Sequence, residues 1–155
     1  MSAITVQGSA TLRNVTAVAP TAAHALQVLP TNSFPIVTIV NTIARGLVND
    51  AVVSAPISNG AGTQLSGSIT RSAFRPDHSA FKGGPLFAVT APNVAADPLF
   101  VDAAGGDLRE AAGSPTIDQG VTDAANGSVD AAGKPRTQGA GTDIGAFEYT
   151  PGSTP

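Results

Sequence analysis

Two arginines hold the same place in two similar stretches of the chain. Arg45 follows Thr38 by seven residues in TIVNTIARG, and Arg75 follows Ser68 by seven in SITRSAFRP. A guanidinium is planar, permanently charged, and grips carboxylate or sulfate through paired N–H donors. If the stretches lie side by side as strands, about 5 Å apart, the two cations repel unless an anion lies between them. A glycan carrying uronate or sulfate is one such anion, and this makes Arg45, Arg75 and the nearby Arg71 the candidate binding residues. An internal anion is the alternative, because Asp50 and Asp77 stand in the adjoining turns.

Other chemistries find little support. Residues 1–96 hold only Asp50 and Asp77 as carboxylates. That is too few for the paired acids of a glycoside hydrolase or the roughly six to eight oxygens of a calcium site. His24 and His78 are far apart and lack ligand-like neighbours, and no Ser/His/Asp arrangement or glycine-rich phosphate loop is evident. Cysteine is absent, which excludes disulfides and thiolate metal sites. No catalytic residue, metal ligand or cofactor is therefore assigned. The acidic balance, without a basic aromatic surface, argues against nucleic acid. No apolar run reaches the ~18 residues of a membrane helix. NVT (14–16) and NGS (126–128) match the glycosylation sequon.

The elements that must position the arginines follow from composition and period. Among 155 residues, 12% are charged and 5% aromatic, with 17 glycines and 12 prolines. A core of small and β-branched side chains suits layered β architecture. TLRNVTAVA (11–19), TIVNTIARG (38–46) and SITRSAFRP (68–76) align on Thr11, Thr38 and Ser68, at offsets of 27 and 30. A second apolar patch follows in two of the copies, ALQVL (25–29) and AVVSA (51–55), with PLFAV (85–89) as candidate for the third. Proline, glycine and asparagine punctuate the patches as turns, in LPTNSFP and SAPISNGAG among others. This period predicts a β-solenoid with like residues in ladders, or else β-rich segments of a sandwich. Asn14 and Asn41 would be two rungs of an amide ladder, since Asn tolerates a left-handed backbone; Arg71 interrupts it.

The remainder of the chain is different material. Residues 1–96 carry a net charge of +3 and residues 97–155 one of −6. The later part contains ADPLFVDAAGGDLREAAGSPTIDQG, then DAAGKPR, then GTDIGAFEY. In that order these motifs resemble the C-terminal region of bacterial right-handed parallel β-helix proteins. Those are the pectate-lyase-like surface proteins that often end in a choice-of-anchor Q domain. The resemblance implies an all-β chain, a right-handed parallel β-helix of about three coils (1–92) with an irregular C-terminal cap (93–149) and a flexible tail (150–155). Leu99, Phe100, Leu108 and Ile117 are expected to plug the last coil, and DIGAFEY to add a final strand. Where the family often has a second carboxylate in D-x-D-G-x-P-R, this chain has Ala132, which removes one ligand from a cation loop at Asp130.

The resemblance also carries functional expectations. The chain is expected to be a non-catalytic structural or adhesion segment of a secreted or cell-surface protein, with acidic polysaccharide as its prospective partner. The alternative is a remnant of a polysaccharide lyase or glycoside hydrolase acting on acidic polysaccharides. MSAITVQGSATL shows no export signal and no amphipathic helix to cover the first coil. The expectation is a truncated N-terminus whose open β-edge self-associates, aided by the uncharged window IVTIV (36–40).

Overall fold

The computed structural model describes residues 1–29, 34–54, 65–82 and 86–152. The chain is mostly β. Among the described residues the strands are β1 (Ser2–Val6), β2 (Ala10–Ala19), β3 (His24–Val28), β4 (Ile36–Gly46), β5 (Asn49–Ser54), β6 (Ser66–Thr70), β7 (Ser79–Lys82), β8 (Phe87–Thr90), β9 (Phe100–Asp102) and β10 (Asp107–Glu110). The first eight alternate between two parallel sheets, ordered β1-β3-β5-β7 and β2-β4-β6-β8. Strands β9 and β10 form an antiparallel pair outside them.

The sequence alignment is the strand register. Thr11 pairs with Thr38 and Thr38 with Ser68; Leu12 pairs with Ile39 and Ile39 with Ile69. Each long strand is bent where its asparagine falls: Asn14 and Asn41 have φ of 54° and 49°. Asparagine enters this left-handed region more readily than most residues because its short amide bonds locally. Asn41 Nδ2 donates to Asn14 Oδ1 at 3.0 Å, the predicted amide ladder. Arg71 takes the same conformation, at φ 45°, without an amide to support it.

The core is small and branched, as the composition requires. Leu26, Val28, Val37, Ile39, Ala51, Val53, Leu65 and Ile69 are almost wholly buried between the sheets. Each full burial of a Val, Leu or Ile contributes about 1.5–3 kcal/mol. Gly67 sits at φ 133°, and a Cβ there would come within 1.8 Å of the Val37 carbonyl oxygen, so no larger residue fits at this strand crossing.

Several expectations are corrected. Each parallel sheet has four strands where about three copies were expected. One missed strand, β1, precedes the first copy; another, β7, is the second patch of the third copy, with Ser79 paired to Ala51. The stretch proposed for that patch, PLFAV, instead supplies most of β8, which pairs with β6 through Ser68 and Ala88. Its Pro85 lies outside the described residues, as do parts of LPTNSFP and SAPISNGAG and residues 153–155 of the tail. DIGAFEY forms no strand; it runs as consecutive bends. Leu99 is 48% exposed, and Leu108 and Ile117 are only partly buried, so these residues do not plug the sheets, whereas Phe100 is half-buried against the cluster of Ile43, Ala73 and Ile144. The rings of Phe74, Phe81 and Phe87 serve at the sheets instead. Phe81 on β7 and Phe87 on β8 stack at 6.2 Å, and Phe81 meets buried Phe74 edge-on at 5.4 Å. Phe81 and Phe87 lie on β7 and β8, the last strand of each sheet among the described residues, and both pack against the core of small side chains.

Residues 93–152 lie along the flank marked by the bends. Gly145 N–H donates to Asn41 O, Ala146 N–H to Thr16 Oγ1, and Asn14 Nδ2 to Asn126 O. Ile144 is fully buried against Ile43 and Ala73. Strand β4 is consequently buried at every position from Val40 to Gly46, covered on both faces.

Replacing Arg71 by Asn is expected to stabilise the protein by roughly 1 kcal/mol, the relief of a left-handed residue, read as a higher denaturant midpoint. Asn41→Gly keeps the bend but removes the amide, and should cost about 2–4 kcal/mol through its unpaired neighbours. An Asn41→Gly protein as stable as the parent would show that the bend alone matters.

Candidate functional site

The predicted arginines meet around one carboxylate. Asp50, fully buried at the start of β5, lies between Arg45 at the end of β4 and Arg75 just after the bridge residue Ala73. Arg75 Nη2 and Nε reach Asp50 Oδ1 and Oδ2 at 2.7 and 3.0 Å, and its backbone N–H donates to Oδ2. Arg45 Nη1 approaches Oδ2 at 3.4 Å. Gly46 N–H adds a further bond to Oδ1. The anion between the two cations is therefore internal. Asp77 takes no direct part: its side chain is 81% exposed and lies 3.8 Å from His78.

Arg45 is used up by the fold. Its Nε pairs with Asp97 at 3.1 Å, Nη1 donates to Ala44 O, and Nη2 donates to Ala96 O at 2.7 Å. Arg75 keeps 30% of its side chain exposed, and among the described residues the Arg71 side chain makes one long contact, Nη1 to Gln119 O at 3.4 Å. Burial lowers Arg45 from its ordinary pKa, opposed by the charges of Asp50 and Asp97. Burial alone would raise Asp50, but the bonds from Arg75 and Gly46 and the charge of Arg45 together hold it below its ordinary value.

A second cluster was missed in the sequence. Inside residues 93–152 the buried side chains are largely polar: Glu110, Ser114, Thr116, Asn126, Asp130, Arg136, Thr142, Asp143 and Glu148. A segment with few large apolar residues and many carboxylates can only enclose a polar interior, and that was the available signal. Most of these groups bind backbone. Asp130 Oδ1 accepts from Ala132 and Lys134 N–H at 2.8 Å each, and Oδ2 from Glu148 N–H at 2.8 Å, so this carboxylate clamps its own loop. Asp143 accepts from Asp118 and Tyr149 N–H. Arg136 donates to Ala146 O and Gly145 O and lies 3.4 Å from Glu148. Asn126 accepts from Arg13 and Asn41 side chains and donates to Val121 O. Both sequon asparagines therefore stand in this network.

Burial pushes Glu110 up to about 7, against bonds from Thr116 and Ser114. Burial and then the charge of Asp143 push Glu148 up to about 8, against Arg136. Burial raises Asp143 as well. Glu110, Glu148 and Asp130 form the buried side of a cavity of about 150 Å³, with Tyr149 beside it and the exposed Arg109 and Lys134 among its lining. His24 and His78 stand apart from both clusters, bonded to Asn49 and Val48 in and beside the β4–β5 turn.

No family model matches the chain, and neither a curated protein nor a solved structure matches it. The fold and these two clusters define a mostly β chain with two parallel sheets, an internally neutralised arginine pair, and a polar-cored segment on one flank.

The clusters respond oppositely to protons. Asp50 is depressed in the fold, so its contribution is present above its ordinary range and lost as pH falls through the folded value. Glu110 and Glu148 are raised, so theirs is complete below about 4.5 and lost as pH rises through about 7 to 8. Denaturant melts across pH should show greatest stability near about pH 4–5. In Asp50→Asn the acid-side loss should shrink, while Glu148→Gln should flatten the alkaline side. A parent profile flat from acid to alkaline would refute both assignments. Separately, Asp50→Ala leaves Arg45 buried without its central anion and should cost about 3–5 kcal/mol, measured by the same melts.

Proposed function

We propose that the chain is a structural segment of a right-handed parallel β-helix, closed along its flank by the C-terminal cap. It would belong to a secreted or cell-surface bacterial protein and act as scaffold or adhesion stalk. The observation that carries this reading is the disposition of charge. Arg45 and Arg75, the cations best placed for acidic glycan, are bonded to Asp50 and to backbone carbonyls. Their work is to hold β4, β5 and the chain after Ala73 together. The parallel alternation of strands and the amide ladder support the coiled architecture. Of the three candidate arginines for contact with acidic glycan, Arg71 and Arg75 retain exposure.

The test is an array of acidic and neutral glycans, assayed for retention and for release of unsaturated or reducing products. The expected result is no turnover, and melting temperature rather than glycan retention as the property that Arg75→Ala lowers. Release of unsaturated uronide would revive the lyase. Retention abolished by Arg71→Ala at unchanged melting temperature would make the chain a recognition module.

Self-association rests on the sheet edges. Strands β1 and β2 each end their sheets, so one row of backbone donors and acceptors faces outward. We propose that a second copy pairs there. Sedimentation velocity should show mass rising with concentration; a monomer throughout the range would overturn the proposal.

A further inference from the structure

Glu110 holds an oxygen that the fold leaves without a donor. Oε2 accepts from Thr116 Oγ1 at 2.6 Å, and Thr116 is bonded in turn to Ser114. Oε1 is buried and has no hydrogen-bond partner among the described residues. The residue is 5% exposed and lines the cavity of about 150 Å³. Buried polar atoms are nearly always satisfied, and an orphan costs about 1–3 kcal/mol. An oxygen of this kind beside a cavity is suited to a donor brought by a ligand.

The neighbouring charges restrict that ligand. Asp130 has its oxygens on backbone N–H groups, and Glu148 meets Asp143 N–H and Arg136. Asp143 stands close enough to raise Glu110 further. Around Glu110 the acidic groups Asp130, Asp143 and Glu148 outnumber the one buried guanidinium, Arg136, and burial holds part of them protonated. A hydroxyl donor would satisfy Oε1; an ammonium would also compensate the charge that Glu110 takes on when its proton leaves. On the exposed side, Arg109 is bound to Asp107, while Lys134 makes no ion pair among the described residues. A buried acidic side and a free ammonium outside it disfavour a dication and a dicarboxylate alike. The volume matches cavities that hold about six heavy atoms, as benzene does.

We propose that this cavity binds a small zwitterion, an ammonium-bearing carboxylic acid of the size of a small α-amino acid. Its ammonium sits on Glu110 and its carboxylate lies toward Lys134. The site is independent of the structural role and of the arginine pair. Binding ionises Glu110 and so releases a proton, in surroundings set by Asp130, Asp143, Glu148, Arg136, Arg109 and Lys134.

The test is amide-detected NMR titration of the full chain near neutral pH with alanine, ethylamine and propionate as probes. Alanine should give saturable shifts at the amides of Ala111 and Tyr149, ethylamine weaker ones, and propionate none. Glu110→Gln, checked for an unchanged fold by its amide spectrum, should weaken alanine at least about tenfold, the loss of one charge-assisted bond. Lys134→Ala, an exposed change that leaves the core intact, should reduce alanine to the level of ethylamine. Calorimetry in buffers of different ionisation enthalpy should show proton release. No saturable shift with any probe would overturn the site. Alanine bound equally by Glu110→Gln would overturn the role of Glu110. Ethylamine bound as well as alanine by the parent protein would overturn the zwitterion.

Discussion

The structure depends on satisfying one buried carboxamide. Asn41 is wholly inaccessible, and a buried amide without partners is strongly destabilising. Its nitrogen donates to Asn14 Oδ1, Val121 O and Asn126 Oδ1, and its oxygen accepts from Val121 N–H. The first bond fixes β4 against β2. The others come from the acidic segment, about 80 residues further along. One side chain thus bends a strand, holds its register and seats the flanking segment. The backbone repeats the link, because Asn41 O accepts from Gly145 N–H. At that point a Cβ on residue 145 would meet Thr16 Oγ1 at 2.8 Å and Ile43 Cδ1 at 2.9 Å, which is why glycine stands there.

The parts of the fold legible in the sequence were those written by repetition. Thr11, Thr38 and Ser68 align in the chain and pair in the sheets, because parallel strands stack like on like. The left-handed bend was legible at Asn14 and Asn41 through their side chain, and Arg71 follows it by register alone. Strand β1 escaped notice because SAITV is short and lies ahead of the first aligned copy. Strand β7 escaped because SAFK shares no pattern with ALQVL or AVVSA. The acidic segment was read as an apolar plug from its few large side chains. Its interior is instead assembled from carboxylates, hydroxyls and backbone N–H groups distant in sequence, as Asp130 with Glu148 and Asp118 with Asp143. Such pairings have no period to betray them.

The candidate arginines show how far residue type can mislead. Their equal spacing foretold proximity, and proximity is what the fold provides. The anion was the open question, and Asp50 answers it from five residues beyond Arg45. Two guanidiniums sharing one desolvated carboxylate form a joint between neighbouring strands, worth most when all three members are present. Glu110 had no repeated partner to draw attention to it, and its environment exists only once β10, Thr116 and the loop of Asp130 are brought together.

Where the flanking segment sits has a consequence for growth of the sheets. Its polar contacts reach Arg13, Asn14, Thr16, Asn41 and Arg71 at or beside one bend, and Arg45, Ser72 and Phe74 further along. Among the described residues none of these contacts falls on β1. The edge of β1 can therefore take a further strand without disturbing a residue of that seat. Pairing at the β1 edge and fastening of the acidic segment therefore rest on different residues, so one can change while the other is kept.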